Sequence, residues 1–326
     1  MAELIQLEVL SPRALNNGPT GPDGGAGLDR PMVNRRIPEW LTIRLPRRQE
    51  IGEVEALMRR AGLVTVCEEA CCPNLGECWS KKTATFMILG DTCTRSCRFC
   101  AVKTGKGGPL DPDEPRKVAE SARALGLKHT VVTSVNRDEL PDGGSHHFAE
   151  TIGWLRTLLP DTIIEVLTPD FLGNKANVQT VIDAKPHVFN HNIETVPRLY
   201  RQVRPQARYS RSLQLLQYVK AQDPEIYTKS GLMVGLGETK AEVIALLEDL
   251  KAHDVDAVTI GQYLKPSKKH LDVVEYVHPD VFAEYKEIGE AMGFLFVASG
   301  PFIRSSYNAK EFSDRFLALK AANTAP

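Results

Sequence analysis

Ala84 to Cys100 reads ATFMILGDTCTRSCRFC, and the fold turns on this stretch. Its first part, TFMIL over Thr85–Leu89, is a continuous apolar run of the length expected for a buried strand. Gly90 and Asp91 break the run, and three cysteines follow at Cys93, Cys97 and Cys100. A strand that empties into a loop of thiols fits a parallel α/β sheet, which builds its site at the C-terminal ends of its strands.

Outward from this stretch the pattern repeats. Thr130–Thr133, Ile163–Leu167, Val188–His191, Gly231–Val234 and Val258–Gln262 are short and rich in β-branched residues, and Phe294–Ala298 reads as a terminal strand. Between them, Pro115–Leu125, Phe148–Leu159, Ser210–Ala221 and Lys240–Asp249 carry apolar residues at helical spacing. Such alternation implies parallel strands with helices outside. The expected fold class is α/β, a partial parallel (β/α)6 barrel with N- and C-terminal extensions; a doubly wound open sheet is the alternative. Polar residues gather after the strands: Ser134, Asn136, Arg137 and Asp138; then Thr168 and Asp170; then Asn190, Asn192 and Glu194; then Gly235, Gly237 and Glu238. Both topologies place them on one mouth, where each alone could equally be a cap or a turn residue.

Composition bounds the function. The 326 residues are 42% hydrophobic and 25% charged with a formal net charge of -1, which argues against a general nucleic-acid binder. No run approaches the ~18 apolar residues of a membrane helix. The start MAELIQLEVL lacks the basic-then-apolar order of a secretory signal, and no membrane association is expected. NNGPTGPDGGAG, Asn16–Gly27, reads as a flexible arm. A cytoplasmic protein is expected, and clustered cysteines in a reducing compartment are metal ligands or catalytic groups rather than disulfides.

All seven cysteines lie between Val66 and Cys100. Cys93, Cys97 and Cys100 are spaced C-x3-C-x2-C. Structural zinc would call for four ligands, commonly as paired C-x2-C knuckles, and a bacterial ferredoxin for C-x2-C-x2-C-x3-C. Three thiolates on one short loop suit a 4Fe–4S cube with one iron left open. The earlier stretch VCEEACCPNLGECW, Val66–Trp79, holds Cys67, Cys72 and Cys78 as C-x4-C-x5-C, with Cys71 beside Cys72. These imply a second cluster, again one ligand short. The ligand set without Cys71 is preferred, because a neighbour of Cys72 points away if the chain is extended there; Cys71 then reads as a free buried thiol.

The C-x3-C-x2-C loop resembles the radical S-adenosylmethionine superfamily motif, with Phe99 at its aromatic position. GLMVGLGE, Gly231–Glu238, is similar to the superfamily's G-x-I-x-G-x-x-E segment, with Met233 for isoleucine. The resemblance implies that the open iron chelates the methionine part of the cofactor and that cluster reduction releases a 5′-deoxyadenosyl radical. Phe99, Ser134, Asn136, Gly235 and Glu238 are its expected cofactor contacts. The superfamily's G-G-E segment is not visible after the second strand; TSVNRDEL, Thr133–Leu140, stands there, and its Asn136, Arg137 and Asp138 are candidates to touch cofactor or substrate.

Taken together, the two triplets, TSVNRDELPDGGSHHFAETI, FNHNIETVPRLYRQVRP, TKSGLMVGLGET, GQYLKPS and the late RSSY resemble the lipoyl synthase family from about residue 40 to about 310. The resemblance implies a barrel of the radical S-adenosylmethionine type over 83–290. Residues 1–45 are then a flexible arm and lead-in, 46–82 an extension carrying the auxiliary-cluster cysteines, and 291–326 a C-terminal extension with RSSY. It implies sulfur insertion at carbons 6 and 8 of a protein-bound octanoyl-lysine chain. Cys93, Cys97 and Cys100 hold the radical-generating cluster. Cys67, Cys72 and Cys78, completed by Ser306, hold an auxiliary 4Fe–4S cluster that gives up its sulfide. Ser305 is the substitute for Ser306, and a helix cap is the plain alternative for both.

The implied partners are octanoylated lipoyl carrier domains, namely 2-oxoacid dehydrogenase E2 subunits and the glycine cleavage H protein. A ferredoxin or flavodoxin electron donor and an iron–sulfur cluster carrier for repair complete them. Lys81, Lys82, Arg95, Arg98, Lys103 and Lys106 are expected either to hold an acidic partner or to form a solvated basic face. The rival readings are another two-cluster sulfur-inserting radical enzyme and a non-catalytic iron–sulfur or zinc protein.

Overall fold

The computed structural model describes residues 4–6, 37–44 and 48–306. The arm at Asn16–Gly27 and the C-terminal extension from Tyr307 onward lie outside the described residues.

Eight strands form the main sheet: β1 (Val64–Thr65), β2 (Thr85–Ile88), β3 (His129–Ser134), β4 (Ile163–Leu167), β5 (Val188–Asn190), β6 (Tyr227–Val234), β7 (Ala257–Gln262) and β8 (Phe296–Gly300). They lie side by side in sequence order. From β2 to β8 every pairing is parallel; only β1 runs antiparallel, against β2. Helices α1 (Arg48–Ala61), α2 (Glu114–Leu125), α3 (Ser145–Leu158), α4 (Lys175–Asp183), α5 (Tyr209–Gln222), α6 (Lys240–Ala252) and α7 (Pro279–Ala291) accompany them. From β2 to α7 this is six β/α units, with β8 as a last parallel strand, and among the described residues no ladder joins β8 back to β1 or β2. The expected partial α/β barrel is the fold. The two-residue β1, invisible in the pattern, extends its first edge.

Local chemistry explains where elements begin and end. α6 opens on a capping box, in which Thr239 accepts from Glu242 N and the Glu242 carboxylate accepts from Thr239 N. α2 ends at Gly126, whose φ of 66° is the left-handed turn that glycine adopts without strain. Pro279 starts α7, where its missing N–H costs nothing.

Strand alternation sorts the two faces. Phe86, Val132, Ile164, Val166, Phe189, Leu232, Val258 and Ile260 join helix residues such as Val118, Phe148, Val181, Leu216 and Leu246 in one continuous core. Val54, Met58, Cys67 and Trp79 belong to the same core, so the N-terminal cysteine segment is packed onto the barrel. On the opposite, inner face Ile163, Val188, Ala257 and Phe296 form a small apolar floor. Above it lies a buried polar layer. Lys229 Nζ donates to both Glu165 oxygens at 3.0 and 3.2 Å, Asn190 Nδ2 donates to Glu165 at 2.9 Å, and His129 Nε2 lies 3.0 Å from the other oxygen. Burial alone would raise Glu165, but Lys229 and His129 hold it down at about 2. Gly231, Gly261 and Gly300 also face inward, and other groups fill the places their side chains would take: Thr259 and Asn192 at Gly231, Ile303 O at Gly261 and the Ile303 side chain at Gly300.

Candidate functional site

The loop after β2 begins with a forced turn. Leu89 and Gly90 have φ of 70° and 93°. Glu114 accepts from Leu89 N at 2.8 Å, while Arg137 Nη1 donates to Leu89 O at 2.8 Å. A non-glycine residue in the left-handed region is strained, and two buried charged side chains hold this one from both sides. Arg137 also donates to Gly108 O and to Glu139. Arg137, a candidate to touch cofactor or substrate, is thus engaged as a clamp beneath the loops.

Thr92–Cys93 then pairs with Lys103–Thr104, closing the cysteine loop at its base. Three other segments grip it. Thr94 N and Oγ1 both donate to Asn136 O at 3.0 Å. Arg98 N donates to Val203 O, and Leu271 N to Arg98 O. His270 Nε2–H donates to Cys100 O at 3.0 Å, which leaves Nδ1 to accept from Ser267. Asn136 N and Arg95 N lie 3.3 and 3.4 Å from Cys93 Sγ. Phe99 is half-buried against the core.

The other thiols sit on two short helices. Thr65 accepts from Glu68 N and so caps Val66–Glu69, which carries the buried Cys67. Cys72 N donates back to Cys67 O, and Cys78 N, in the helix Leu75–Ser80, donates to Asn74 O. The chain is a tight turn here, not the extended segment expected. Cys71 has a φ of 51° and is exposed rather than buried, and that turn separates it from Cys72.

None of the seven cysteines is in a disulfide, and the two triplets segregate electrostatically. Cys78 feels Cys67 and Cys72; Cys100 feels Cys97 and Cys93. Burial pushes Cys67 up to about 11 and Cys78 and Cys100 up to about 12. Burial thus favours the neutral form of these three thiols, and a bound cation must displace their protons. Among the described residues no three His, Cys, Asp or Glu side chains converge closely enough for a single metal ion. Two separate groups of three soft donors fit polynuclear iron–sulfur groups by their chemistry.

The RSSY segment reaches the first of these groups. Asn74 Nδ2 donates to Phe302 O at 2.7 Å, Arg304 lies beside Cys72, and Ile303 O occupies the space that a side chain on Gly261 would need. Ser305 Oγ accepts from Asn192 Nδ2 at 3.2 Å, and Ser306 follows, half-buried.

The mouth carries several unmet polar atoms. Ser134 Oγ, Asn136 Oδ1, Thr168 Oγ1, Asn192 Oδ1, Arg204 Nε and Ser299 Oγ are buried without a protein partner. Buried polar groups are normally satisfied, so this concentration marks a ligand site. Arg204 is fixed by its Nη1, which donates to Asn192 O and to Tyr200 OH, leaving Nε unmet near Cys97 and Glu194. Sequence reading missed Arg204, because only the fold brings it beside the cysteine loop. Glu238, expected at the cofactor, accepts from Gly235 N and Leu236 N of its own loop. Gly235, with a φ of 101°, lets that loop pass Gln262 and Glu275 O.

Of the expected basic face, Arg95 is only 4% exposed and is bound to Asp138 and Asp170. Lys81 and Lys82 are paired with Glu77 and Glu53.

Residues 87–250 match the family model described as the Radical SAM superfamily. A protein of Caldanaerobacter subterraneus subsp. tengcongensis described as lipoyl synthase is 58% identical over 274 residues, 84% of this chain and 96% of that protein. One from Rubrobacter xylanophilus with the same description is 56% identical over 84% of this chain and 85% of its own length. The chain belongs to the lipoyl synthase family. It is a radical S-adenosylmethionine enzyme that inserts sulfur, and the motif implies a 4Fe–4S cluster and S-adenosylmethionine at this mouth. Two solved structures share the fold. HydG, a maturase of the [FeFe]-hydrogenase, gives a TM-score of 0.53 at 14% identity, covering 83% of this chain and 69% of its own. Streptococcus suis SuiB bound to precursor peptide SuiA gives 0.52 at 12% identity, covering 81% and 55%. Among the described residues no helix is long and apolar enough to cross a membrane.

Proposed function

We propose that the two thiol groups divide the labour of lipoyl synthesis. Cys93, Cys97 and Cys100 hold the radical-generating 4Fe–4S cluster, and Cys67, Cys72 and Cys78, completed by Ser306, hold an auxiliary 4Fe–4S cluster that is consumed as the sulfur source. The observation that carries this reading is the hydrogen bond from Asn74 to Phe302, which ties the segment leading into RSSY to the first cysteine loop while leaving the second loop to the loop after β3 and to His270.

When bound, the cofactor and its cluster supply a 5′-deoxyadenosyl radical, the only reagent here able to open unactivated C–H bonds at carbons 6 and 8 of an octanoyl chain. The chain's own residues position and enclose. The unmet Nε of Arg204 suits the cofactor's carboxylate. Ser134, Asn136 and Asn192 offer further polar contacts. Gly231 and Gly261 let Asn192 and the backbone at Ile303 pack close against the inner wall of the site. The buried floor at Ile163, Val188, Ala257 and Phe296 shuts water out from below.

The partners in this reading are octanoylated carrier domains, a ferredoxin or flavodoxin, and an iron–sulfur carrier, since a consumed cluster must be rebuilt. The setting is the cytoplasm. The test is a single turnover with protein reconstituted in heavy-isotope sulfide and an octanoylated carrier. The reading expects heavy sulfur in the lipoyl product. Light sulfur taken from free sulfide or cysteine in the medium would contradict it.

A further inference from the structure

Arg95 stands in the C-x3-C gap between two thiols, where a basic residue reads as a solvated charge. The fold buries it instead. Arg95 Nε and Nη2 grip Asp138 at 2.7 and 2.9 Å, and Nη2 also reaches Asp170 at 2.5 Å. Asp170 takes a second arginine, Arg211, at 3.1 Å, so two cations and two carboxylates balance. A buried pair is weak evidence for stability, and its better-attested use is to fix one arrangement.

The arrangement fixed here is the meeting of two short loops. Along 93–95 and 136–138, Thr94 N and Oγ1 donate to Asn136 O, and Asp138 N donates to Thr94 Oγ1 at 3.1 Å. The Arg95–Asp138 fork closes the far end of this seam. At its near end, Asn136 N and Arg95 N point at Cys93 Sγ. Backbone N–H groups aimed at a ligating sulfur draw charge from it and raise the potential of an iron–sulfur group. Lysine could keep the charge but not the two-pronged grip.

We propose that Arg95 is a positioning residue of the radical-generating site. Held by Asp138 and Asp170, it keeps Cys93 under two backbone N–H donors and sets the ease with which that site is reduced. TSVNRDEL, which departs from the superfamily pattern, is here the other half of the seam. The proposal rests on the reading that Cys93 is a cluster ligand.

The test uses the full chain with Cys67, Cys72 and Cys78 changed to Ala, so that one cluster is observed. Iron and sulfide, the electron paramagnetic resonance spectrum, the midpoint potential, and kcat and KM for cofactor cleavage are measured in this parent. The same is done for Arg95→Lys, Arg95→Gln, Asp138→Asn and the Arg95→Gln/Asp138→Asn double variant. The expected result is an intact cluster with a more negative midpoint and an altered spectrum. Cleavage kcat falls about tenfold or more, as small misplacements do, with KM changed far less. The double variant is no worse than Arg95→Gln alone, because both act through one fork. Arg95→Lys and Asp138→Asn preserve charge or shape if Arg95→Gln does not fold. Unchanged potential, spectrum and kcat per cluster in those two variants, with only thermal stability lowered, would overturn the proposal. If the parent holds no cluster, or keeps it after Cys93→Ala, the ligand reading fails instead and the proposal falls with it.

Discussion

The side-chain amide of Asn74 donates to the backbone carbonyl of Phe302 across 228 positions of sequence. Asn74 is 4% exposed, and the bond is partly shielded from water. The cost of leaving such a carbonyl unmet falls at the lower end of about 1–3 kcal/mol. Asn74→Ala should therefore loosen the RSSY segment over the first cysteine loop and lower lipoyl formation about tenfold, since each ~1.4 kcal/mol is one decade. Cofactor cleavage should stay near wild type, because the second loop is anchored elsewhere. Parallel assays of deoxyadenosine and lipoyl product measure the split; an equal fall in both would mean that the bond supports the whole fold.

Ser305 and Ser306 separate by their partners. Ser305 Oγ is engaged by Asn192 Nδ2, and among the described residues none engages the Ser306 hydroxyl. Ser306→Ala should abolish lipoyl formation while sparing most cofactor cleavage, whereas Ser305→Ala should cost no more than a few fold, about one hydrogen bond's worth. The reverse order of effects would give the ligand role to Ser305.

Glu165 and Lys229 are both fully inside the barrel. Removing one partner of such a pair strands the other, at about 3–5 kcal/mol. Lys229→Met should lower the unfolding free energy measured by urea titration by that amount, and Glu165→Leu added to Lys229→Met should recover much of it. Additive losses in the double variant would show that the ion pair is not the coupling.

His191 is buried, with Nδ1–H donating to Thr168 O and Nε2 accepting from Ser212. Burial, then the nearby Arg204 charge, hold it down at about 4 against an ordinary value of 6.5, despite the opposing pull of Asp170. Between those values the unfolded chain takes up a proton that the folded one refuses. Its contribution is full above pH 6.5 and drains as pH falls toward 4. The loss is about 1 kcal/mol at pH 5.5 and approaches about 3 kcal/mol at the lower end. Unfolding of the anaerobic protein at pH 7 and 5.5 measures this; His191→Asn should flatten the slope.

The strands were legible because each is a short β-branched run with helical spacing between, as at Ile163–Leu167 and Val258–Gln262. The thiol spacing carried the chemistry. Arg95 was not legible, because its burial depends on carboxylates after two other strands, Asp138 and Asp170. Arg137 and Asp138 looked alike as polar residues at the mouth, yet one clamps Leu89 and the other holds Arg95. Cys71 was set apart from Cys72 on an extended chain, whereas a left-handed turn does it. β1 is two residues long and leaves no periodicity to read.

The most direct measurement counts iron and sulfide after anaerobic reconstitution in wild type and in two variants, with deoxyadenosine and lipoyl product assayed in each. Wild type should hold two clusters. Ala at Cys93, Cys97 and Cys100 should remove one cluster and all cofactor cleavage. Ala at Cys67, Cys72 and Cys78 should remove the other, keep cleavage and end sulfur insertion. Lipoyl product from a protein lacking Cys67, Cys72 and Cys78 would contradict the account.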